Sequence, residues 1–232
     1  MRSCSSFLFF LFFFLAIAER LHAQWDTLDF QGPSLGLTSA SRFNDRLIAA
    51  HGSGISYSDN AGDTWSLAPG SPANAYEVWT RQGKVYAVRV QNGQDSAWIS
   101  NDGGQTFEPW GGVPGHWNAS KVIRGDTMFA VLAGGAGLNT QSVLRLIRGN
   151  PDAQVLFTCP GFAYNLQIVE SGNRLVLLST DGIRWSDDGG LNWQKSAATI
   201  PVNNQSPGYD RLLVQGNVLF YYNRVGNLLR SD

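Results

Sequence analysis

Short apolar runs alternate with Gly, Asn or Asp turns along most of the chain. Residues 77–88 form an apolar run, a turn at Gln82-Gly83 and a second apolar run. The pattern recurs at residues 42–49, 121–131, 166–178 and 211–222. Each copy is typical of a β-hairpin, in which β-branched and aromatic residues flank a tight turn. The pattern therefore predicts a chain built from short antiparallel strands.

A polar segment returns between these hairpins at nearly regular intervals. It occupies residues 58–65, 100–107 and 186–193, and residues 231–232 look like the start of another copy. These segments begin at residues 58, 100, 186 and 231, so the gaps are 42, 86 and 45 residues and the middle gap spans two units. We expect the missing copy at residues 142–152, which keep the strand pattern but not the polar tip.

Four short strands in each unit of roughly 40–45 residues are typical of a β-propeller blade. We predict an all-β fold, a β-propeller of four-stranded antiparallel blades with about five blades over residues 24–232. Residues 24–30 resemble the last strand of a blade and could close the ring by pairing with the last blade. The five blades would form either a closed ring or a fragment of a propeller of about six to eight blades. The predicted blades are residues 35–68, 75–110, 117–158, 164–196 and 209–232.

The recurring polar tip is interpreted as a structural turn. Its glycine stands where a tight turn needs a positive φ, and its Ser and Asp side chains can accept nearby backbone N–H groups. Its aromatic residue then begins the next strand and buries a large ring. Because every unit folds the same way, a carboxylate repeated in each unit indicates a structural role rather than a catalytic or metal-binding one. The residues assigned to the tips are Ser58, Asn60, Gly62, Trp65, Ser100, Asp102, Gly104, Phe107, Ser186, Asp188, Gly190 and Trp193.

The tip resembles the Asp-box, or bacterial neuraminidase repeat, which has the pattern Ser-x-Asp-x-Gly-x-Thr-Trp. Residues 100–107 match with Phe107 in the Trp place, and residues 186–193 match with Asn192 in the Thr place. Asn60 takes the Asp place in the first copy. The resemblance covers residues 24–232 and implies a sialidase-like β-propeller. Such propellers include sialidases, xyloglucan-cleaving glycosidases, sortilin-type receptor ectodomains and photosystem II assembly-factor-like proteins, so the resemblance implies a fold rather than one activity.

The sequence lacks the catalytic pattern that the resemblance to sialidases would imply. Sialidases carry a Phe/Tyr-Arg-Ile-Pro motif, and the nearest fragment here, residues 199–201, has no arginine. Glycoside hydrolysis generally uses two carboxylates at a set separation, and no pair outside the tips stands out. We therefore assign no catalytic residue, no metal ligand and no cofactor. The favoured hypothesis is a secreted, non-catalytic binding scaffold. The alternative is a glycoside hydrolase of sialidase or xyloglucanase type, with its catalytic residues unrecognised or in further blades.

The first 23 residues are interpreted as a cleaved secretory signal peptide. Arg2 precedes an apolar run of 12 residues at positions 7–18, and Ala23 supplies a small residue for cleavage. Such a run is too short to cross a bilayer, which takes roughly 20 residues. Cleavage leaves 15 of the 17 Lys and Arg residues and 17 of the 18 Asp and Glu residues, a net charge of −2. This balance argues against a nucleic-acid partner. Cys159 is the one cysteine outside the signal peptide, and we expect it to be buried.

A ligand is expected at the loop face, opposite the tips, where the loops between second and third strands and between successive blades lie. Aromatic rings beside Asn and Asp side chains suit a glycan or a peptide ligand. The alternative is that these rings pack between blades. The residues predicted to contact the ligand are Trp110, His116, Trp117, Tyr164, Asp181 and Tyr209.

Overall fold

A computed structural model describes most of the chain after the first 35 residues. The described residues are 36–114, 116–133, 141–150, 152–159, 166–179, 181–197, 211–222, 226 and 228–231. Within them the chain forms nineteen β-strands in five antiparallel sheets. This part of the chain contains no helix long and apolar enough to cross a membrane. The predicted signal peptide at residues 1–23 and the predicted closing strand at residues 24–30 lie outside the described residues.

The strands of each sheet follow one another in sequence order. Sheet 1 contains β1 (Leu37–Phe43), β2 (Arg46–His51), β3 (Gly54–Ser58) and β4 (Ser66–Leu67). Sheet 2 contains β5 (Ala75–Arg81), β6 (Lys84–Gln91), β7 (Gln94–Ser100) and β8 (Glu108–Pro114). Sheet 3 contains β9 (His116–Arg124), β10 (Thr127–Ala133), β11 (Gln141–Ile147) and β12 (Gln154–Cys159). Sheet 4 contains β13 (Gln167–Ser171), β14 (Arg174–Ser179), β15 (Gly182–Ser186) and β16 (Gln194–Lys195). Sheet 5 contains β17 (Arg211–Gln215), β18 (Val218–Tyr222) and β19 (Leu228–Ser231).

All five hairpins expected from the apolar pattern are confirmed as the first two strands of each sheet. The turn residues take the left-handed conformation that the sequence predicts, with φ of 53° at Asn44, 59° at Gly172 and 61° at Gly216. Asparagine and glycine tolerate this conformation better than other residues do. The all-β, propeller-like fold is therefore confirmed.

The degenerate third copy is also confirmed. Sheet 3 keeps its third strand, β11, and a turn with Gly149 at φ 76° leads towards β12 in place of a polar tip. Ser231 pairs with Leu219 in sheet 5, as Ser58 pairs with Leu47 in sheet 1. Ser231 therefore stands in the register of the tip serines.

The hydrophobic core lies between successive sheets rather than inside any one of them. Four buried clusters fill the four junctions from sheet 1 to sheet 5. The first strands β9, β13 and β17 contact one another in turn, and β1 contacts β5. Cys159 is 2% exposed in the cluster between sheets 3 and 4, which confirms the expected burial.

The sequence pattern also favours a loop at residues 110–118, where the predicted second and third blades meet, and this expectation is wrong. Strand β8 continues to Pro114 and strand β9 begins at His116, so both strands extend into this segment. The cause is continued backbone pairing: Val113 pairs with Asp95 of β7, and Trp117 pairs with Leu132 of β10. Neighbouring strands thus satisfy backbone groups that a loop would leave to water.

Candidate functional site

The tip at residues 100–107 is closed by hydrogen bonds within its own turn. The Ser100 hydroxyl accepts from the Gly104 N–H at 2.7 Å and donates to Asp102 Oδ1 at 2.6 Å. The same Oδ1 accepts the backbone N–H groups of Gln105 and Thr106, each at 3.0 Å. Asp102 Oδ2 accepts the Thr106 hydroxyl at 2.5 Å. Both carboxylate oxygens are therefore occupied inside the turn.

The other two tips repeat this arrangement with the substitutions seen in the sequence. The Ser186 hydroxyl accepts from Gly190 N–H at 2.7 Å and donates to Asp188 at 2.8 Å. Asp188 also accepts the backbone and side-chain N–H groups of Asn192 at 2.9 and 2.7 Å. In the first tip Asn60 Oδ1 takes the place of the carboxylate oxygen and accepts the Thr64 N–H at 3.0 Å. An amide is sufficient here because the turn needs an acceptor, not a charge.

These bonds keep the tip carboxylates ionised. Desolvation alone would raise the pKa of Asp102, but hydrogen bonds from Ser100, Thr106 and Gln105 outweigh it and lower the pKa to about 2. The backbone and side-chain N–H groups of Asn192 lower the pKa of Asp188 to about 2. A carboxylate with this pKa is a poor general acid or base near neutral pH, and its lone pairs are already used. The tips thus support the structural interpretation.

Tip glycines fit closely against a neighbouring sheet. A Cβ atom on Gly104 would lie 2.9 Å from Ile48 of sheet 1, and one on Gly190 would lie 2.6 Å from Leu156 of sheet 3. Both glycines also have a positive φ, at 89° and 87°. The glycine of the repeat therefore serves the packing of successive sheets as well as the turn.

We expect Ser100→Ala to lower the free energy of unfolding by about 1–3 kcal/mol, because the buried Gly104 N–H would lose its acceptor. Ser100 is fully buried, so water cannot easily replace the lost hydroxyl. Urea unfolding followed by tryptophan fluorescence measures the change. The matched control is Ser66→Ala on exposed strand β4, which should change stability by less than about 0.5 kcal/mol. Equal effects of the two variants would contradict the structural role of the tip.

In two of the tips, an aspartate forms a two-bond ion pair with an arginine of the second strand of the same sheet. Arg46 forms two hydrogen bonds to Asp59, at 2.6 and 2.9 Å, and its guanidinium lies 4.5 Å from the Tyr57 ring centroid. Arg46 also donates to the Gly103 carbonyl of the next tip at 3.1 Å, which links sheets 1 and 2. Arg174 and Asp187 repeat the two-bond pair in sheet 4 at 2.7 and 3.0 Å. Arg46 and Arg174 therefore have structural partners at the tips.

On the opposite face, Trp110 is part of the core. It lies in strand β8, is 2% exposed, and packs its ring 5.5 Å from that of Tyr86. The alternative considered from the sequence, a ring packed between sheets, describes Trp110 correctly. A ligand contact through this ring would require the core between sheets 2 and 3 to open.

The other predicted aromatic contacts are only partly placed. His116 and Trp117 lie at the start of β9, where their backbones pair with Ala133 and Leu132 of β10. Their side chains, and all of Tyr164 and Tyr209, lie outside the described residues. The contacts proposed for these four residues stay predictions.

Asp181 lies in the turn between β14 and β15, as the sequence predicts, and holds a small ionic cluster. Its Oδ1 accepts the Ser179 hydroxyl at 2.6 Å, and its Oδ2 accepts Arg184 at 2.6 Å and Lys195 at 3.2 Å. Partial burial would raise the pKa of Asp181, but hydrogen bonds from Ser179, Arg184 and Lys195 lower it to about 2. Two cations around one carboxylate leave this part of the loop face with an excess positive charge.

Sequence reasoning missed three further groupings of charged and polar residues. Tyr76 donates to the buried Asp95 at 2.6 Å, and Lys121 pairs with Glu77 across sheets 2 and 3. Glu170 of sheet 4 accepts Arg124 of sheet 3 at 2.6 Å and also pairs with Arg81 of sheet 2. Partners from different sheets stand 44 to 89 residues apart, so no local motif could have revealed them. Among the described residues, no group of three or more His, Cys, Asp or Glu side chains could hold a metal ion.

Comparison with solved structures supports one conclusion, about the fold. The chain resembles the computationally designed Ika8 protein, with a TM-score of 0.56 and 13% identity over 87% of this chain and 60% of Ika8. The chain has a propeller-like β-fold. It also resembles the extracellular domain of the hybrid two component system BT4673 from B. thetaiotaomicron, with a TM-score of 0.56 and 11% identity over 90% of this chain and 28% of that one.

A third similar structure is that of a nidogen/laminin complex, with a TM-score of 0.52 and 8% identity over 86% of this chain and 77% of that chain. The sequence matches no protein-family model and no curated relative. At these identities the similar structures show a shared propeller-like fold, and they do not show that the chain belongs to the Asp-box family.

Proposed function

We propose that the protein is an exported, non-catalytic propeller that binds a glycan or peptide ligand at its loop face. The observation that carries the proposal is the saturation of the tip carboxylates by their own turns. Since this removes the repeated acids as reacting groups, function is left to the opposite face. Residues 1–23, interpreted as a signal peptide, support export.

We also propose that the tips are Asp-boxes in the family sense. The support is that Ser, Asp and Gly of the pattern each make a distinct hydrogen bond in the second and third tips, while Asn60 replaces the acid in the first. The pattern thus follows from the requirements of one turn. It is compatible with many activities, so the function must be tested at the loop face.

The proposed ligand site combines His116 and Trp117 at the start of β9 with Asp181 and the predicted loop residues Tyr164 and Tyr209. Flat aromatic rings stack on sugar rings or peptide side chains, and the ordered charges near Asp181 can fix orientation. The cations Arg184 and Lys195 favour a ligand with an acidic or strongly polar group.

We expect the mature protein to bind members of a glycan array or a peptide library, and Trp117→Ala to weaken that binding at least tenfold, or by about 1.4 kcal/mol. Isothermal titration with the best ligand measures the change. The control Leu191→Ala alters a side chain that is 55% exposed on a tip and should leave affinity unchanged.

Absence of binding in both screens, or a loss of affinity with Leu191→Ala instead, would contradict the proposal. A screen with fluorogenic sialosides and β-glucan oligosaccharides tests the alternative. Turnover of either substrate class by the wild-type protein would favour a glycoside hydrolase.

A further inference from the structure

Polar side chains of one sheet cap the free edge of the first strand of the next sheet. Between sheets 1 and 2, the Ser39 hydroxyl accepts the Val78 N–H and donates to the Val78 C=O, both at 3.2 Å. Between sheets 3 and 4, the Ser120 hydroxyl makes the same two bonds to Ile168, both at 2.7 Å. We call this arrangement, in which one side chain bonds both backbone groups of one residue, the edge cap.

A carboxamide forms the edge cap between sheets 4 and 5. Gln167 Oε1 accepts the Leu212 N–H at 2.7 Å, and Gln167 Nε2 donates to the Leu212 C=O at 3.0 Å. The capped residues Val78, Ile168 and Leu212 are all at most 3% exposed. Because a strand edge presents both a donor and an acceptor, each cap needs a group that accepts one hydrogen bond and donates another.

The junction between sheets 2 and 3 has an acid at the capping position. Counted from the hairpin turns, Glu77 stands where Gln167 stands in sheet 4, and Lys121 stands where Leu212 stands in sheet 5. An ionised carboxylate has no proton to donate, and Glu77 pairs with the Lys121 ammonium instead. Within the described part of the chain, no side chain caps the N–H and C=O of Lys121.

Solvent reaches the backbone of Lys121. The residue as a whole is half-buried although its side chain is only 3% exposed, so the backbone carries much of its accessible surface. Lys121 pairs with Ala130 in the register in which Val78 pairs with Ala87, so its N–H and C=O point to the free edge, as those of Val78 do. The first strands of sheets 2 and 3 also have the least extensive contact of the four successive pairs.

We propose that the backbone N–H and C=O of Lys121 bind a hydroxyl group of a sugar ligand, which forms the edge cap that Glu77 does not. Two of the three edge caps described above are hydroxyls, so a single oxygen atom at this edge can accept from the N–H and donate to the C=O. A sugar presents several hydroxyls of this kind, and one of them takes the place that Ser39 and Ser120 take at the other junctions.

A peptide fits this edge less well than a sugar does. A single trans amide has its donor and acceptor on opposite sides, so it cannot reach both backbone groups of Lys121. An extended peptide could do so only by pairing along the edge as an added strand. Ile123, whose N–H and C=O reach the same edge next, is 1% exposed, which leaves no room for that strand towards the turn.

The test is NMR spectroscopy of the isotope-labelled mature protein, titrated with glucose, galactose and N-acetylglucosamine at millimolar concentrations. We expect at least one sugar to shift the Lys121 amide signal and to slow the hydrogen exchange of its N–H. In the free protein this N–H should exchange faster than the capped N–H of Ile168.

Three outcomes would overturn the proposal. If no sugar moves the Lys121 signal, only water caps this edge. If acetamide or a blocked alanine peptide moves the signal and no sugar does, the ligand is a carboxamide or a peptide. If the Lys121 N–H of the free protein is as protected as that of Ile168, another part of the chain already caps it. The readout is specific to one residue, so it does not depend on the ligand proposed for the loop face.

A pair of double variants tests the same site by affinity. Glu77→Gln/Lys121→Leu builds the cap of Gln167 and Leu212 into this junction, and should weaken the sugar that responds by about tenfold or more. Glu77→Leu/Lys121→Leu is the matched control, since it removes the same two charges, keeps the backbone and adds no cap, and it should bind as the wild type does. Equal affinities of the two variants would contradict the proposal. Circular dichroism reports folding, and the wild-type titration decides by itself if a variant does not fold.

Discussion

Replacing Glu77 with leucine is expected to lower the free energy of unfolding by about 3–5 kcal/mol. Glu77 is the ion-pair partner of Lys121, whose side chain is 3% exposed and lies with its Nζ 5.2 Å from the Trp79 ring centroid. Burial lowers the pKa of Lys121, and the negative charge of Glu77 works in the opposite direction. Without Glu77 the folded protein must hold a buried ammonium or release its proton, and both cost stability.

The pH dependence of the Glu77→Leu variant tests this cause. A lysine whose pKa is lower in the folded than in the unfolded state destabilises the fold at pH values below its unfolded pKa of about 10.4. The loss in this variant should therefore shrink as the pH rises from about 7 towards about 10. Chemical unfolding of the wild type and the variant at several pH values measures this loss of stability.

Two further variants test whether the stability loss comes from leaving a buried charge without its partner. The double variant Glu77→Leu/Lys121→Met should recover most of the lost stability, since it removes the isolated cation together with its partner. Asp45→Asn removes a pair whose side chains are 68% and 97% exposed, and should cost less than about 1 kcal/mol. A Glu77→Leu loss no larger than the Asp45→Asn loss would contradict the assignment of a buried ion pair.

The second large effect is expected at Phe129, which is 3% exposed between sheets 3 and 4. Phe129→Ala should cost about 3–5 kcal/mol, because a cavity would remain between two sheets that share this cluster. The measurement is the urea midpoint, together with the slope, which reports the surface exposed on unfolding.

Phe220 is the matched control, since it takes the equivalent position in sheet 5 and no sheet of the described chain covers it. Phe220 is half-buried, so Phe220→Ala should cost only about 1 kcal/mol. A cost equal to that of Phe129→Ala would show that another part of the chain covers this face. The difference between the two losses in free energy of unfolding thus measures how much a covering sheet contributes to stability at this position.

Hairpins and tips could be read from the sequence because their interactions are local. Ser100 contacts residues two and four positions away, and turn residues such as Gly172 and Gly216 set their own backbone angles. The tip hydrogen bonds explain the Ser, Asp, Gly and Thr positions of the pattern. Cys159 was correctly expected to be buried, because a lone cysteine without polar partners in the sequence is most often a core residue.

The candidate site could be predicted less well, because side-chain exposure depends on the next sheet. Tryptophan often contacts ligands, which made Trp110 a candidate. In the structure Trp110 is buried in the core, where its ring packs against that of Tyr86, 24 positions earlier in the chain. Asp181 was placed correctly in its turn, but its partner Lys195 lies on a later strand. The sequence pattern predicts where such residues lie along a strand or turn, but it does not predict which surface covers them.

The sequence by itself determined the strand pattern, the period of the repeat and the chemistry of the tips, since each depends on residues within a few positions of one another. Only the tertiary structure decided which side chains face another sheet and which charges pair between sheets. Those properties depend on contacts between residues one or more repeats apart, such as Lys121 with Glu77 and Arg124 with Glu170. The physical reason is that a propeller-like sheet cannot bury its apolar face alone, so burial is decided by the packing of one repeat on the next.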